Sequence, residues 1–390
     1  MEKIRKESSF IDKNPKKILF SFFLFFLFFL ELMLRVFIPL HFIEKDYIMY
    51  NKFYFKSYKE NSKFIKKPSK YDSDFKNVIN KINSIGIRGP EINKKQNFRV
   101  LNIGDSYIQA DEVDFKNTFG EKLNNNLNIE FISHGMPSWA PTPQFSWIYR
   151  NLENLSPDEI NLFIYINDFF PIENKGAPGD EFYRSVANYS SEFIPESYNI
   201  ERENRFKFFF KKLYIIKSLL IFKNHIWPNV NIINIDDINN NHNYDLMIQK
   251  TFYKSSDEWS NKQKINVLKL LDVIKNMNNF LLKNNVKLNV LFVPNHFYWK
   301  DELFKYRKIY DEFDFKLDYK LGIEPFIKEY LLNKNISYID LTEKFIDYKK
   351  NHETKLFFEW DGHFNNNGHE LIFQILKEHY KSKNQITNLD

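Results

Sequence analysis

Cysteine is absent from the 390 residues, which removes disulfides, thiolate nucleophiles and cysteine-ligated zinc in one step and suits an exported bacterial domain held together by its core alone. A concentrated stripe of one charge is also missing. The 56 Lys and Arg stand against 50 Asp and Glu, a net charge of +6, and part of that excess lies ahead of an apolar run instead of along a nucleic-acid-binding face. No RNA- or DNA-binding module and no internal repeat is visible, so nucleic acid is not an expected partner. Composition argues against disorder, because 43% hydrophobic and 18% aromatic residues with 27% charged supply enough apolar surface for a sizeable core. The abundance of Asn, Ile, Lys and Phe reads as a composition bias, so runs such as Asn239 to Asn241 and Asn365 to Asn367 carry little weight individually.

One long apolar run stands out near the N-terminus. ILFSFFLFFLFFL (Ile18 to Leu30) continues past Glu31 as LMLRVFIPL to Leu40, and about 20 apolar residues in a helix cross a bilayer core of roughly 30 Å. Glu31 and Arg35 are four apart, so they can pair on one helix face and reach towards an interface. Lys3, Arg5, Lys6, Lys13, Lys16 and Lys17 all precede the run, and the positive-inside rule then places residues 1–17 in the cytoplasm and everything after residue 40 on the far side. No small-x-small cleavage site follows Leu40, which favours a retained single-pass anchor at 18–40 over a cleaved signal peptide.

Residues 44–98, rich in Lys, Tyr and Phe without a long periodic run, read as a lead-in packed over the following domain. Beyond them lie five short apolar runs: FRVLNI (98–103), IEFIS (129–133), INLFIYI (160–166), VKLNVLFV (286–293) and ISYIDL (336–341). Such runs suit strands buried on both faces. Between and after them the pattern predicts helices over 115–124, 143–152, 261–283, 322–333 and 368–380. Alternation of this kind argues for an α/β fold, a doubly wound, flavodoxin-like parallel sheet of five strands, with ligands bound at the carboxyl ends of the strands. The interval 170–260 breaks the alternation and reads as an insertion. Within it, RFKFFFKKLYIIKSLLIF (Arg205 to Phe222) is either a lid or interfacial helix or an inserted core helix with lysines on its edge.

Two loops at the expected sheet edge carry residues suited to chemistry. Gly104-Asp105-Ser106 follows the first strand directly, exposing a serine near a helix N-terminus; a polar strand-to-helix turn reads the same way. EWDGHFNNNGHELI (Glu359 to Ile372) opens the last helix, with Asp361 and His363 two apart, so that a carboxylate can fix the tautomer of an imidazole whose other nitrogen reaches a serine. Solvation of a loop histidine, and metal binding by Asp361, His363 and His369, are the alternatives, the latter lacking a fourth ligand.

Taken together these segments resemble the SGNH hydrolase family, the GDSL-like lipases and acylhydrolases, in chain order. RVLNIGDSY with Glu112-Val113 is similar to the first block, whose serine is the nucleophile. SHGMPSWAPTPQ (Ser133 to Gln144) resembles the second, whose glycine, here Gly135, offers a backbone amide to the oxyanion, and FIYINDF (Phe163 to Phe169) the third, whose asparagine, here Asn167, offers a side-chain amide. DGHFNNNGH looks like the closing block of membrane-anchored, polysaccharide-associated members, and NSIGIRGPE (Asn83 to Glu91) like the segment that often precedes their GDS strand. Two departures stand out. Tyr165 replaces the glycine of the third block, and the closing block reads D-x-H instead of D-x-x-H, which makes Glu359 a substitute for Asp361.

The resemblance implies Ser106 as nucleophile, His363 as base, Asp361 as orienting carboxylate, and an oxyanion hole of Ser106, Gly135 and Asn167, with no metal or cofactor. His134, Asp168 and His296 are candidate substrate contacts, with structural roles as the alternative, and Phe297, Tyr298 and Trp299 a candidate sugar-stacking cluster, with aromatic core packing as the alternative. The implied activity is hydrolysis of carboxylic esters, O-acetyl or other short acyl groups on an envelope or extracellular glycan. A glycan O-acyltransferase with the same triad and a non-catalytic glycan-binding or assembly protein are the competing readings. The hydrolase domain would span 99–385, and envelope polysaccharide machinery is the implied partner.

Overall fold

The computed structural model describes residues 14–37, 47–66, 76–137, 139–169, 186–189, 195–198, 213, 215, 254–295, 298–299, 320–359 and 362–387. The helix expected over Arg205 to Phe222 and most of the 170–260 insertion lie outside this set. Contacts divide the chain into two compact units, residues 1–45 with 201–238, and residues 46–200 with 239–390.

In the first unit the apolar run forms α1 (Pro15–Phe37). None of its residues is buried, and its most apolar window has a mean hydropathy of 2.3; length and composition suit a membrane anchor or a signal sequence. Glu31 and Arg35 do pair, at 2.8 Å, and Glu31 also accepts from the Ile215 amide at 3.0 Å.

The second unit opens with two short hairpins, β1 (Ile48–Asn51) with β2 (Phe55–Tyr58) and β3 (Lys63–Lys66) with β4 (Val78–Lys81). Next come β5 (Arg99–Gly104), the single turn α2 (Ser106–Gln109), α3 (Phe119–Asn126), β6 (Glu130–Gly135), α4 (Pro141–Leu155), β7 (Glu159–Ile164) and a 3-10 turn at Ile166–Phe169. The hairpin β8 (Val186–Tyr189) and β9 (Pro195–Tyr198) precedes α5 (Asn261–Lys283), β10 (Lys287–Phe292), α6 (Ile323–Asn333), β11 (Ser337–Ile339), α7 (Leu341–Asn351) and α8 (Asn366–Thr387).

Five strands form one sheet in the order β11-β10-β7-β5-β6, all neighbours parallel. Counted within the sheet, that order is 2-1-3-4-5, the doubly wound arrangement whose switch point lies between the first and third strands, here β5 and β7. Helices cover both faces: α3, α7 and α8 pack together on one, and α4, α5 and α6 on the other. Every residue of β5 and β7 is buried, which is why both read as largely apolar runs instead of alternating ones.

A polar ladder crosses this interior. Asn102, Asn161 and Asn289 stand in register on β5, β7 and β10. Asn161 donates to Asn102 at 2.9 Å, Asn289 donates to Asn161 at 3.0 Å, and Asn102 donates to Ser133 Oγ on β6 at 3.1 Å. Tyr380 of α8 closes the row, donating to Glu159 at 2.7 Å. Each rung satisfies a buried amide that would otherwise be costly.

The lead-in shares the core of the sheet: Tyr58, Phe64, Ile82 and Ile87 are buried in the same cluster as Val100 and Ile103. Tyr47 stacks on Phe64 with ring centroids 3.7 Å apart.

Candidate active site

Strand β5 ends at Gly104, and the chain turns at once into α2. Asp105 caps that turn, its carboxylate accepting from the Tyr107 amide at 2.9 Å. The turn lies directly against β6: a Cβ on Gly135 would come within 2.3 Å of both the Asp105 carbonyl oxygen and the Gln109 amide nitrogen. Glycine at 135 is therefore a steric requirement for seating Ser106 beside the end of β6.

His363 arrives from the other end of the sequence, on a tight loop before α8. The Phe358 amide donates to the His363 carbonyl at 2.8 Å and the Gly362 amide to the Phe358 carbonyl at 3.0 Å, while Gly362 takes a φ of 78° that favours glycine. Asn365 fastens the loop to α8. Its Oδ1 accepts from the Asn367 and Gly368 amides at 2.9 and 3.1 Å, and its Nδ2 donates to the carbonyls of Lys355 and Phe357. Gly368 is again a matter of space, since a Cβ there would lie 2.3 Å from the Leu356 carbonyl oxygen. The N-x-x-G-H pattern is thus a cap, a close approach and a packing histidine: His369 is buried and stacks on Phe119.

The two loops meet. Ser106 Oγ and His363 Nε2 are 2.8 Å apart, hydrogen-bonding distance for a hydroxyl handing its proton to an imidazole. Tyr107, next to the serine, donates to the Gly362 carbonyl at 3.0 Å and sets its ring edge-on to His363 and Phe364. This clamp fixes both sides of the contact. His363 keeps 23% of its side chain exposed, so the pair is open to solvent and substrate.

Other expected residues fall out unequally. Gly135 ends β6 beside α2, and Asn167 lies half-buried on the 3-10 turn after β7, so both stand with Ser106 at the carboxyl edge where the strand order reverses. Tyr165, in the place of the third block's glycine, fills its site: the ring lies 4.7 Å from Tyr107 and the hydroxyl donates to Asn295 at 3.3 Å. Asp361 and His296, and with His296 the first member of the aromatic trio, Phe297, lie outside the described residues.

Trp299 stacks on Phe357 within the core contacts, the packing alternative for that trio. Glu359 pairs with Lys355, so the expected substitute for Asp361 is committed to that partner. His134, a candidate substrate contact, is buried between Trp139 and Trp147, and burial lowers its pKa to about 3. Asp168 is a second such candidate. It is buried, accepts from the Tyr165 amide at 2.9 Å to shape the turn under Asn167, and its carboxyl is pushed well up by burial and by the charge of nearby Asp105. Burial raises Asp105 itself to about 6, against the opposing pulls of the Tyr107 amide and His363.

One neighbour of the pair was passed over as a site residue in the sequence. Glu112 Oε1 lies 3.8 Å from His363 Nδ1, and Lys66 of β3 reaches the same oxygen at 2.6 Å. The loop that carries Glu112 is held from the lead-in. Arg88 donates to the carbonyls of Gln109, Ala110 and Val113, Asn80 donates to the Asp111 carbonyl, and the Tyr58 hydroxyl to the Asp111 carboxylate. No periodicity signals these contacts, because their partners sit on strands only four residues long or, for Arg88, on an isolated bridge.

No family model matches the chain, and no curated protein matches it. Among solved structures it is similar to a protein assigned to the G-D-S-L lipolytic family from Desulfitobacterium hafniense, at 12% identity and a TM-score of 0.36, covering 72% of this chain and 99% of that one. It is also similar to a GDSL-like lipase from Bacteroides thetaiotaomicron (10%, 0.35, 75% and 93%) and to an acetylxylan esterase from Geobacillus stearothermophilus (8%, 0.35, 73% and 94%). At that distance the likeness adds no weight to the site, which stands on its own geometry.

Proposed function

We propose that the chain is a serine-dependent carboxylic-ester hydrolase, acting on O-acetyl or other short acyl groups of an envelope or extracellular glycan from a membrane-anchored position. The observation that carries the reading is the 2.8 Å contact between Ser106 Oγ and His363 Nε2 at the carboxyl edge of the sheet. The glycan half rests on the closing motif, whose form is similar to that of polysaccharide-associated SGNH members. The anchor rests on α1 and the basic residues before it.

In the proposed reaction His363 Nε2 takes the proton of Ser106 as Oγ attacks the ester carbonyl. The resulting oxyanion is held by the amides of Ser106 and Gly135 and the Asn167 side chain, each donor worth on the order of 3 kcal/mol in the transition state. Collapse breaks the bond to the alcohol, which leaves with the proton from His363. Water then attacks the acyl-serine, again giving its proton to His363; collapse breaks the acyl–Oγ bond, Ser106 Oγ takes that proton back, and the acid departs. Throughout, the imidazole must carry its resting proton on Nδ1, and Asp361 is the proposed carboxylate for that proton.

The test uses the full chain in detergent with a fluorophosphonate probe and a short-chain aryl ester. Ser106→Ala is expected to abolish labelling and to cut turnover by at least ~10³-fold. Labelling and turnover that survive the substitution would overturn the reading. An oligosaccharide acceptor in the same assay reads out, by mass gain of the acceptor, whether water or a sugar hydroxyl takes the acyl group.

A further inference from the structure

Glu112 is an expensive residue where it stands. Its side chain is 3% exposed, it follows another buried carboxyl at Asp111, and burying a carboxylate costs more than packing an apolar side chain of similar volume unless charge and geometry compensate. Two cations are committed to the pair. Arg88 is buried on the backbone of the same loop, and Lys66 reaches in from β3 to Glu112 Oε1. An ion pair needed only to fasten a hairpin could sit at the surface. This one touches the chemistry: the oxygen that Lys66 holds is the one 3.8 Å from His363 Nδ1, on the side of the imidazole opposite Ser106.

We infer that Glu112, held and partly neutralised by Lys66, is a positioning carboxylate for His363, and that the lead-in hairpin is a working part of the active site. The inference rests on the ester-hydrolase reading for its meaning, though not for its test. At 3.8 Å the carboxylate is beyond hydrogen-bonding distance and acts through its field. It favours the Nδ1–H tautomer that leaves Nε2 free to accept, and it stabilises the imidazolium formed when Ser106 gives up its proton. Lys66 opposes that field from behind, so the two side chains shift the proton affinity of His363 in opposite senses.

Other charged and titratable groups face the imidazole or its neighbours. Asp105 interacts with it from α2, His369 from α8, and Asp111 with Arg88 stands behind Glu112. Asp168 acts on Asp105 in turn, and Asp361 belongs to the same loop as His363. None of these side chains is removed when only Glu112 or Lys66 is substituted, and of them Asp111 titrates under the influence of both, so the readout is the opposite direction of the two shifts at His363.

The experiment titrates His363 directly by NMR in the full chain in detergent, with histidines labelled at Cε1 and the His363 signal assigned by its loss in His363→Asn. Removing a nearby negative charge makes the imidazolium harder to form, so Glu112→Gln should lower the midpoint by about one pH unit. Removing the opposing cation does the reverse, and Lys66→Met should raise it by a similar or smaller amount, about half to one pH unit. The acid limb of kcat/KM should move in the same two directions, with Glu112→Asp recovering part of the wild-type position. Loosened packing would lower activity without moving midpoints in opposite senses. Midpoints that stay within about 0.2 pH units of wild type in both folded variants would overturn the inference. Should Glu112→Gln fail to fold, Lys66→Met decides alone, because its side chain is 30% exposed and its loss leaves no buried cavity. A wild type that never labels with fluorophosphonate while the midpoints move would remove the ester reading and leave this coupling standing. Labelling with unmoved midpoints does the opposite.

Discussion

Asn167 isolates a single donor better than any other residue of the site. It stands on a turn whose shape is set by its neighbour, since Asp168 accepts from the Tyr165 amide, so truncating Asn167 removes an amide and leaves the turn. Asn167→Ala should lower kcat for an aryl ester by about 10²- to 10³-fold with a small change in KM, the signature of an interaction made mainly in the transition state. Steady-state kinetics on the folded variant measures it, and an unchanged kcat would take Asn167 out of the oxyanion site. The placement of Ser106, Gly135, Asn167 and His363 at one sheet edge was legible in the sequence because each sits in a short local pattern with a physical reason for its form: a strand exit, a close approach, a turn and a capped loop. Glu112 was not, because its value comes from His363, 251 residues away, and from Lys66 on a strand too short to show a period. For His134 the sequence left the surroundings of the ring open. Its place beside Gly135 put it at the active edge in sequence, and only the indoles of Trp139 and Trp147 show that its ring is enclosed.

At the scale of elements, the asparagine ladder ties four of the five strands by side chains as well as backbone. Asn161 is its hub, giving one hydrogen bond to Asn102 and receiving from Asn289 and Tyr380. Asn161→Ala leaves the buried Asn102 carbonyl without its donor, while Asn289 and Tyr380 keep Glu159 as acceptor; a buried group left unpaired costs about 1 to 3 kcal/mol, so a loss of that size is expected. Urea denaturation of the soluble unit's signal should show a lower midpoint, while Ser106 labelling of the folded fraction should persist, because the ladder lies within the strands and the site beyond their ends. An unshifted midpoint would mean the rungs are replaceable by packing. The five strands themselves were readable to within a residue or two at most ends, as continuous apolar runs. The ladder was hidden by the same asparagine abundance that makes single asparagines uninformative in this sequence. Two other elements escaped for local reasons. The lead-in hairpins are built on four-residue strands whose stability comes from Tyr47, Tyr58 and Phe64 meeting the core. Helix α7 went unread beside the strand before it, although Asp340 capping the Glu343 amide at 3.0 Å, with an acidic residue three positions on, is a recognisable start signal.

For the whole molecule the decisive quantity is the balance on α1. Each of its exposed Phe or Leu side chains contributes about 2 kcal/mol when taken out of water, whereas an ionised residue at the centre of a spanning helix costs roughly 2.5 to 3.5 kcal/mol. Phe20, Phe22, Phe23, Phe25, Phe26, Phe28 and Phe29 alone are each at least half exposed, and the two ionised residues of the later turns are paired with each other. Insertion therefore wins by a wide margin. The full chain should sediment with membranes, resist an alkaline wash and dissolve only in detergent. The proposed orientation, with Lys3, Arg5, Lys6, Lys13, Lys16 and Lys17 on the cytoplasmic side, predicts that alkaline phosphatase fused after Asp390 is active and that a fluorescent protein that folds only in the cytoplasm stays dark. An epitope placed before Met1 separates anchor from signal sequence: it should remain on the membrane-bound protein at full mass. A tag lost from a smaller, released product would show that α1 is removed in export, and an active cytoplasmic reporter would reverse the orientation.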